Sequence, residues 1–187
     1  MDLNKNIMSK PSILSLYIFI AFVIPISCTQ KKATPFCNAF QKIIDKAVEK
    51  KLADFKGEEF QSKTYAGVSF RCKVELPEAN ESGLYAAFAK DTGMYNYLAV
   101  MSFTNDKKEA EAVFNKTTKQ IRDCVATLGM NVNIFDQSDR NRPPDNPDDK
   151  EMGFLYNHLL IRLTNEFSEI HSRYICTLYI THNPDSE

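Results

Sequence analysis

The chain is predicted to fold as α+β: a two-layer sandwich with two helices on one face of a mostly antiparallel sheet, in the order α-β-β-β-α-β-β-β. Two segments, residues 35–56 and 105–129, place apolar side chains at spacings of three and four, the pattern of a helix with one buried face. The stretches between and after them alternate apolar with polar residues or run apolar, as strands do. About 160 residues follow the first 27, which suits a single domain burying roughly two thirds of its unfolded surface. No internal repeat is visible in the sequence.

The first helix is expected to run from Pro35 to Lys56. Thr34 with Pro35 suits an N-cap followed by proline at the first helical position, Phe36, Cys37, Phe40, Ile43, Ile44, Ala47, Val48 and Leu52 form the stripe, and Gly57 is the stop. Residues 63–76 then alternate, with Val68, Phe70, Cys72, Val74 and Leu76 inward and Ser69, Arg71, Lys73 and Glu75 toward solvent. Residues 84–89 and 94–103 flank a short turn with Asp91 and Gly93, which predicts a hairpin. The second helix spans 105–129, capped by Asn105 or Asp106 and ended by Gly129. Three strands follow, at 131–137, 152–164 and 173–182, with the proline-rich, acidic stretch 140–151 as a solvated loop. The domain is therefore placed at 35–182, with 183–187 as a tail.

Ahead of the domain, Lys5 and Lys10 precede an apolar run from Ile13 to Ile26. The run is roughly 14 residues, short of the ~20 that cross a bilayer core, and this layout is that of a secretory signal. Pro25 breaks the run near its end, and Ser27 supplies a small residue before Cys28. Ile26, Ser27 and Cys28 followed by "TQKK" resemble the lipobox of bacterial lipoproteins, in the relaxed form found in Bacteroidota. The resemblance covers some thirty residues. It implies a signal peptide at 1–27, a mature chain beginning at an acylated Cys28, a polar tether at 28–34, and a membrane-anchored location in the cell envelope. Several acyl chains at ~0.8 kcal/mol per buried methylene make such an anchor effectively stable. No acidic run follows Cys28, which points to the periplasmic side. Ordinary signal cleavage after Thr29 and an uncleaved signal anchor are the competing readings.

Five cysteines leave one over in an exported chain, and acylation of Cys28 accounts for it. Cys37, Cys72, Cys124 and Cys176 then suffice for two disulfides in an oxidising compartment. Cys37 opens the first helix and Cys124 lies near the end of the second, so these two meet if the helices run antiparallel. If the helices are parallel, the two sit roughly 25 to 30 Å apart at 1.5 Å per residue. Cys72 and Cys176 sit mid-strand and can pair only if their strands are neighbours. Buried free thiols are the alternative.

Signals for chemistry are weak. His158, His171 and His182 show no metal-ligand spacing, and no glycine-rich phosphate loop occurs, so neither metal nor cofactor is expected. "GVSFR" at 67–71 lacks the second glycine of a nucleophile elbow. The acidic residues Asp139, Asp145, Asp148, Asp149 and Glu151 are interrupted by Pro143 and Pro147, where a calcium loop needs oxygen ligands. Net charge is −1, and −2 once residues 1–27 take Lys5, Lys10 and Asp2 with them, which gives no electrostatic reason to expect nucleic acid.

What remains is surface. Tyr97, Met101 and Phe103 alternate with Leu98 and Val100, and Tyr174 and Leu178 alternate with Ile175 and Tyr179, so these strands are apolar on both faces. Two helices cover one face; the other is expected to offer Tyr97, Met101, Phe103 and Tyr179 as a contact patch for a protein, a peptide or a second copy of the chain. Sheet curvature and long loops are the competing cover for that face. Phe167 and Ile170, in the turn "NEFSEIHS", are a second exposed candidate. The expected function is a non-enzymatic binding module on a lipid anchor, of which inhibitor or immunity proteins are one kind. The alternative is a small periplasmic hydrolase or thiol enzyme using Ser69 or Cys72 beside His158 or His182.

Overall fold

The first helix, α1 (Pro35–Val48), starts as its local sequence dictates. Thr34 is extended, its Oγ1 accepts from the Cys37 N–H at 3.2 Å, and Pro35 takes the first helical position. The computed structural model describes residues 33–62, 68–86, 94–136 and 149–182. The signal segment, Cys28, most of the tether, the 87–93 turn, most of the acidic loop and the tail lie outside the described residues. Helix α1 is shorter than the periodicity suggests. The chain leaves it through Lys50, whose φ is +58°, and a 3₁₀ turn at Leu52–Phe55 carries Leu52 into the core. Residues Lys56–Phe60 then form an edge strand, β1. Leu52 fits the helical stripe because the turn buries it on the same side. The strand "KGEEF" has no apolar alternation to betray it, since an edge strand is held mainly by backbone pairing to one neighbour.

The remaining elements are β2 (Ser69–Cys72), β3 (Glu81–Ala86), β4 (Tyr95–Thr104), α2 (Lys107–Thr127), β5 (Asn133–Asp136), β6 (Lys150–Tyr156), β7 (Leu159–Ser168) and β8 (Arg173–His182). Asp106 caps α2, its Oδ1 accepting from the N–H groups of Lys108 and Glu109, and Gly129 leaves the helix with φ at +62°. Residues 152–164, expected as one strand, fold back on themselves: β6 and β7 are joined by Asn157 and His158, with Tyr156 paired to Leu159. Asn157 takes φ +52°, a conformation that asparagine tolerates, so the hairpin forms without the glycine that would have announced it.

The sheet is antiparallel throughout, in the order β1-β2-β3-β4-β8-β7-β6-β5. The α+β class and the sequence of helix, strands, helix, strands are those expected, with four strands in each run once β1 and the β6–β7 hairpin are included. Among the described residues, each half is a helix followed by four strands. The last strands of the halves, β4 and β8, meet at the centre, and the first, β1 and β5, form the two edges. The halves are thus related by an approximate twofold normal to the sheet, although the sequence carries no repeat. Both helices pack on one face, where the stripes of α1 and α2 close over Cys72, Leu84, Tyr97, Leu163, Cys176 and Leu178.

Candidate functional site

Strand alternation assigns the second face. Leu98 and Val100 of β4, Thr177 and Tyr179 of β8, and Arg162 and Thr164 of β7 point away from the helices, paired as Leu98 with Tyr179, Val100 with Thr177, Tyr179 with Arg162 and Thr177 with Thr164. No helix of the described residues lies on this open face. Its centre is nevertheless closed to solvent, with Val100 only 3% exposed. Longer side chains stand around that closed centre, half-buried: Arg162, Tyr179, Ile175 and Tyr85.

A polar cluster occupies the open face. The Arg162 guanidinium lies over the Tyr179 ring, 5.0 Å from its centroid, a cation–π contact. Burial pushes the Tyr179 phenol above its ordinary range, and the charge of Glu166 adds to the effect. Glu166 is itself held above the usual carboxylate range, first by desolvation against the sheet and then by Asp149, with Arg162 acting in the opposite sense. The charges of Arg162 and Glu166 thus both act on the Tyr179 phenol, on a surface that no helix of the described residues covers.

Each edge strand turns a phenylalanine inward over a glycine of this face. The Phe60 ring from β1 crosses Gly83 of β3, where an added Cβ would lie 3.1 Å from the ring, and the Arg71 guanidinium sits 5.1 Å from the Phe60 centroid. The Phe135 ring from β5 rests directly on its paired Gly153, and a Cβ there would fall 1.9 Å from it. The two glycines admit rings that a side chain would displace.

The structure redistributes the predicted contact residues. Tyr97 is fully buried on the helix side and donates its hydroxyl to Ser82 Oγ at 3.0 Å, and Met101 is buried there too, so neither is a surface contact. The pairing of β4 with β8 slips between Val100 and Ser102, which opens a bulge at Met101. Past the bulge the alternation reverses: Ser102 pairs with buried Cys176, and Phe103, paired with Ile175, comes to the open side. Phe103 is half-buried there against His171 and Arg173, at 5.6 and 5.2 Å. Tyr179 is on the open face as expected. Phe167 is exposed beside Tyr174, and Ile170, at the β7–β8 turn, is 92% exposed.

Arg162 and Glu166 were missed, although a signal existed: Leu160, Arg162, Thr164 and Glu166 alternate with Leu159, Ile161, Leu163 and Asn165. Reading 152–164 as one uninterrupted strand hid that phase. Ser69 faces away from the helices as predicted but is buried, not solvated, while Val68 is exposed.

The candidate nucleophiles are poorly equipped. Burial pushes the Cys72 thiol up to about 11, and the other groups acting on it are the Val74 backbone and Glu75, with no histidine among them. His158 and His182 stack on each other, 5.5 Å apart and nearly parallel. Among the described residues no three metal-ligating side chains converge.

All four cysteines of the domain are buried thiols. Burial, and then the Cys37 thiol, hold the Cys124 thiol above its ordinary range, so Cys37 and Cys124 lie near each other in the core beneath the helices, both as free thiols. Cys72 and Cys176 do not, because β3 and β4 stand between β2 and β8. Three strand spacings amount to roughly 14 Å, twice the reach of a disulfide, so the second expected pairing is corrected. Comparison of the chain with protein-family models, curated proteins and solved structures finds no match to any of them.

Proposed function

We propose that this protein is a membrane-tethered envelope lipoprotein whose domain is a non-enzymatic binding module, with the open sheet face receiving a protein or peptide partner. The observation that carries the binding half is the Arg162–Tyr179–Glu166 cluster, half-open to solvent on the one sheet face without helices. Arginine and tyrosine beside a closed floor of Val100, Thr164 and Thr177 are side-chain types that dominate protein–protein contacts. The high thiol pKa of Cys72 weighs against the thiol-enzyme alternative. The anchoring half rests on Cys28 and its lipobox-like flank; among the described residues no helix is long and apolar enough to cross a membrane.

Two experiments test the two halves separately. Alkyne-palmitate labelling in the native host should mark the wild type and not Cys28→Ala, and the variant should leave the membrane fraction or remain unprocessed. A Cys28→Ala protein that is processed and still membrane-bound overturns the anchor. For the binding face, a photo-crosslinking amino acid at position 179 should give discrete envelope adducts that the same group at Lys119, on the exposed side of α2, does not. Identical adducts from both positions would sink the assignment of this face.

A further inference from the structure

We infer that the polar furrow beneath the first turns of α2 is an internal binding site for one or two water molecules, held between the Asn165 amide and the Ser102 hydroxyl. The furrow is a row of directly opposed residues on the helix-facing side of the sheet: Ser102 of β4, Cys176 of β8, Asn165 of β7 and Lys150 of β6. The next row inward, Ala99, Leu178, Leu163 and Met152, is wholly apolar. Ser102 and Asn165 are 4% and 1% exposed, and neither the serine Oγ nor the nitrogen or oxygen of the amide has a hydrogen-bond partner among the described residues. A buried amide left unpaired gives up its hydration for nothing, so native folds pair such groups with protein or with ordered water. The row itself supplies no protein partner. Ser102 and Asn165 stand two strand spacings apart, roughly 10 Å at Cα, with only the weakly bonding thiol of Cys176 between them.

The helix above is tied down on both sides of the furrow. Glu109 accepts from Thr104 Oγ1 at 2.7 Å, beside the β4 end of the row, and Glu111 pairs with Lys150 at 3.2 Å, at its β6 end. Ala110, between those two tethers, is fully buried, so the residue that α2 turns down onto the row carries only a methyl group. One turn further along, the buried residue of the helix is Phe114. Small side chains thus meet from both layers where the unpaired polar atoms lie.

The chemistry of the row selects the occupant. Asn165 presents two N–H donors and a carbonyl acceptor, and the Ser102 hydroxyl both donates and accepts, so the ligand must do both as well. Ser102, Cys176 and Asn165 carry no charge, and Lys150 and Glu111 neutralise each other at the partly exposed mouth. An ion would find no counter-charge inside, which leaves a small neutral molecule. A buried water takes about three hydrogen bonds, and the amide, the hydroxyl and the thiol between them provide that number. The site lies on the opposite side of the sheet from the proposed binding face and does not depend on that reading.

Oxygen-17 relaxation dispersion of the full chain in detergent tests the site with water itself as the probe. Water held for longer than the molecule takes to tumble should contribute in the wild type, and Asn165→Leu should lower that contribution by about one or two molecules. In labelled protein the Asn165 side-chain amide protons should show a cross-peak to water, weakened by roughly half in Ser102→Ala although the two side chains belong to strands that are not neighbours. Ser102→Ala removes a single oxygen, so the test stands even if Asn165→Leu does not fold. Equal water contributions in the wild type and the variants would overturn the inference, as would an Asn165 amide whose cross-peaks run to a protein group and not to water.

Discussion

Tyr97 and Tyr179 stand on neighbouring central strands, one pair apart, and are spent in opposite ways. Tyr97 faces the helices, loses all contact with water and satisfies its hydroxyl on Ser82; Tyr179 faces away, keeps part of its ring exposed and lies under Arg162. The helix side is closed by α1 and α2. The open side is closed at its centre by the sheet's own small and branched residues, Val100, Thr164 and Thr177, and bordered by large ones. A face that seals its middle without a covering layer can leave arginine, tyrosine and carboxylate side chains half-exposed at no cost to the core, and that is the condition for a rigid contact surface.

The comparison predicts its largest contrast at the two tyrosines. Tyr97→Ala should destabilise the fold by ~3–5 kcal/mol, the range for removing a large buried ring, whereas Tyr179→Ala should cost about 1 kcal/mol or less and act on binding. Urea unfolding of both variants decides it; equal losses would mean that the two faces are not different in kind.

A smaller effect is expected at the rims. Gly153→Ala should cost ~1–3 kcal/mol, because the new methyl group meets the Phe135 ring, and Phe135→Leu in the same chain should recover part of that loss. Gly83→Ala should cost less, since its clash with Phe60 is shallower. A Gly153→Ala penalty unchanged by Phe135→Leu would show that backbone, not the ring, sets the limit.

The smallest effect is electrostatic. Because the Glu166 carboxyl binds its proton more tightly in the folded state than in the unfolded, stability from this group is fully present below the ordinary carboxylate range and is lost as pH rises through the raised folded value. Glu166→Gln should flatten that decline and be slightly more stable than wild type at neutral pH, with the difference vanishing in acid. Denaturation midpoints measured across pH 3 to 8 would show it. A variant whose advantage grows toward acid would reverse the assignment.

Much of the fold could be read along the chain because its causes are local. Thr34, Asp106 and Gly129 mark helix ends through hydrogen bonds and a φ angle that involve only adjacent turns, and the stripes from Phe36 to Ala47 and from Ala110 to Val125 repeat at helical spacing. The hairpin at Asn157 and the edge strand at Lys56–Phe60 escaped for the converse reason: neither carries the glycine or the alternation that a local reading requires.

The contact residues depend on more distant causes. Where both phases of a strand are apolar, as in Tyr97–Val100, alternation says which residues share a face but not which face lies under the helices. The bulge at Met101 then moves Phe103 away from the residues it appeared to join. The separation of Cys72 from Cys176 is likewise fixed by the order of β2, β3, β4 and β8. The sequence by itself determined the helices, their caps and the α+β class, all written in neighbouring residues. The facing of each strand, the reversal at the bulge and the separation of Cys72 from Cys176 were decided only by the tertiary structure, because they depend on strand pairing between residues far apart in the chain.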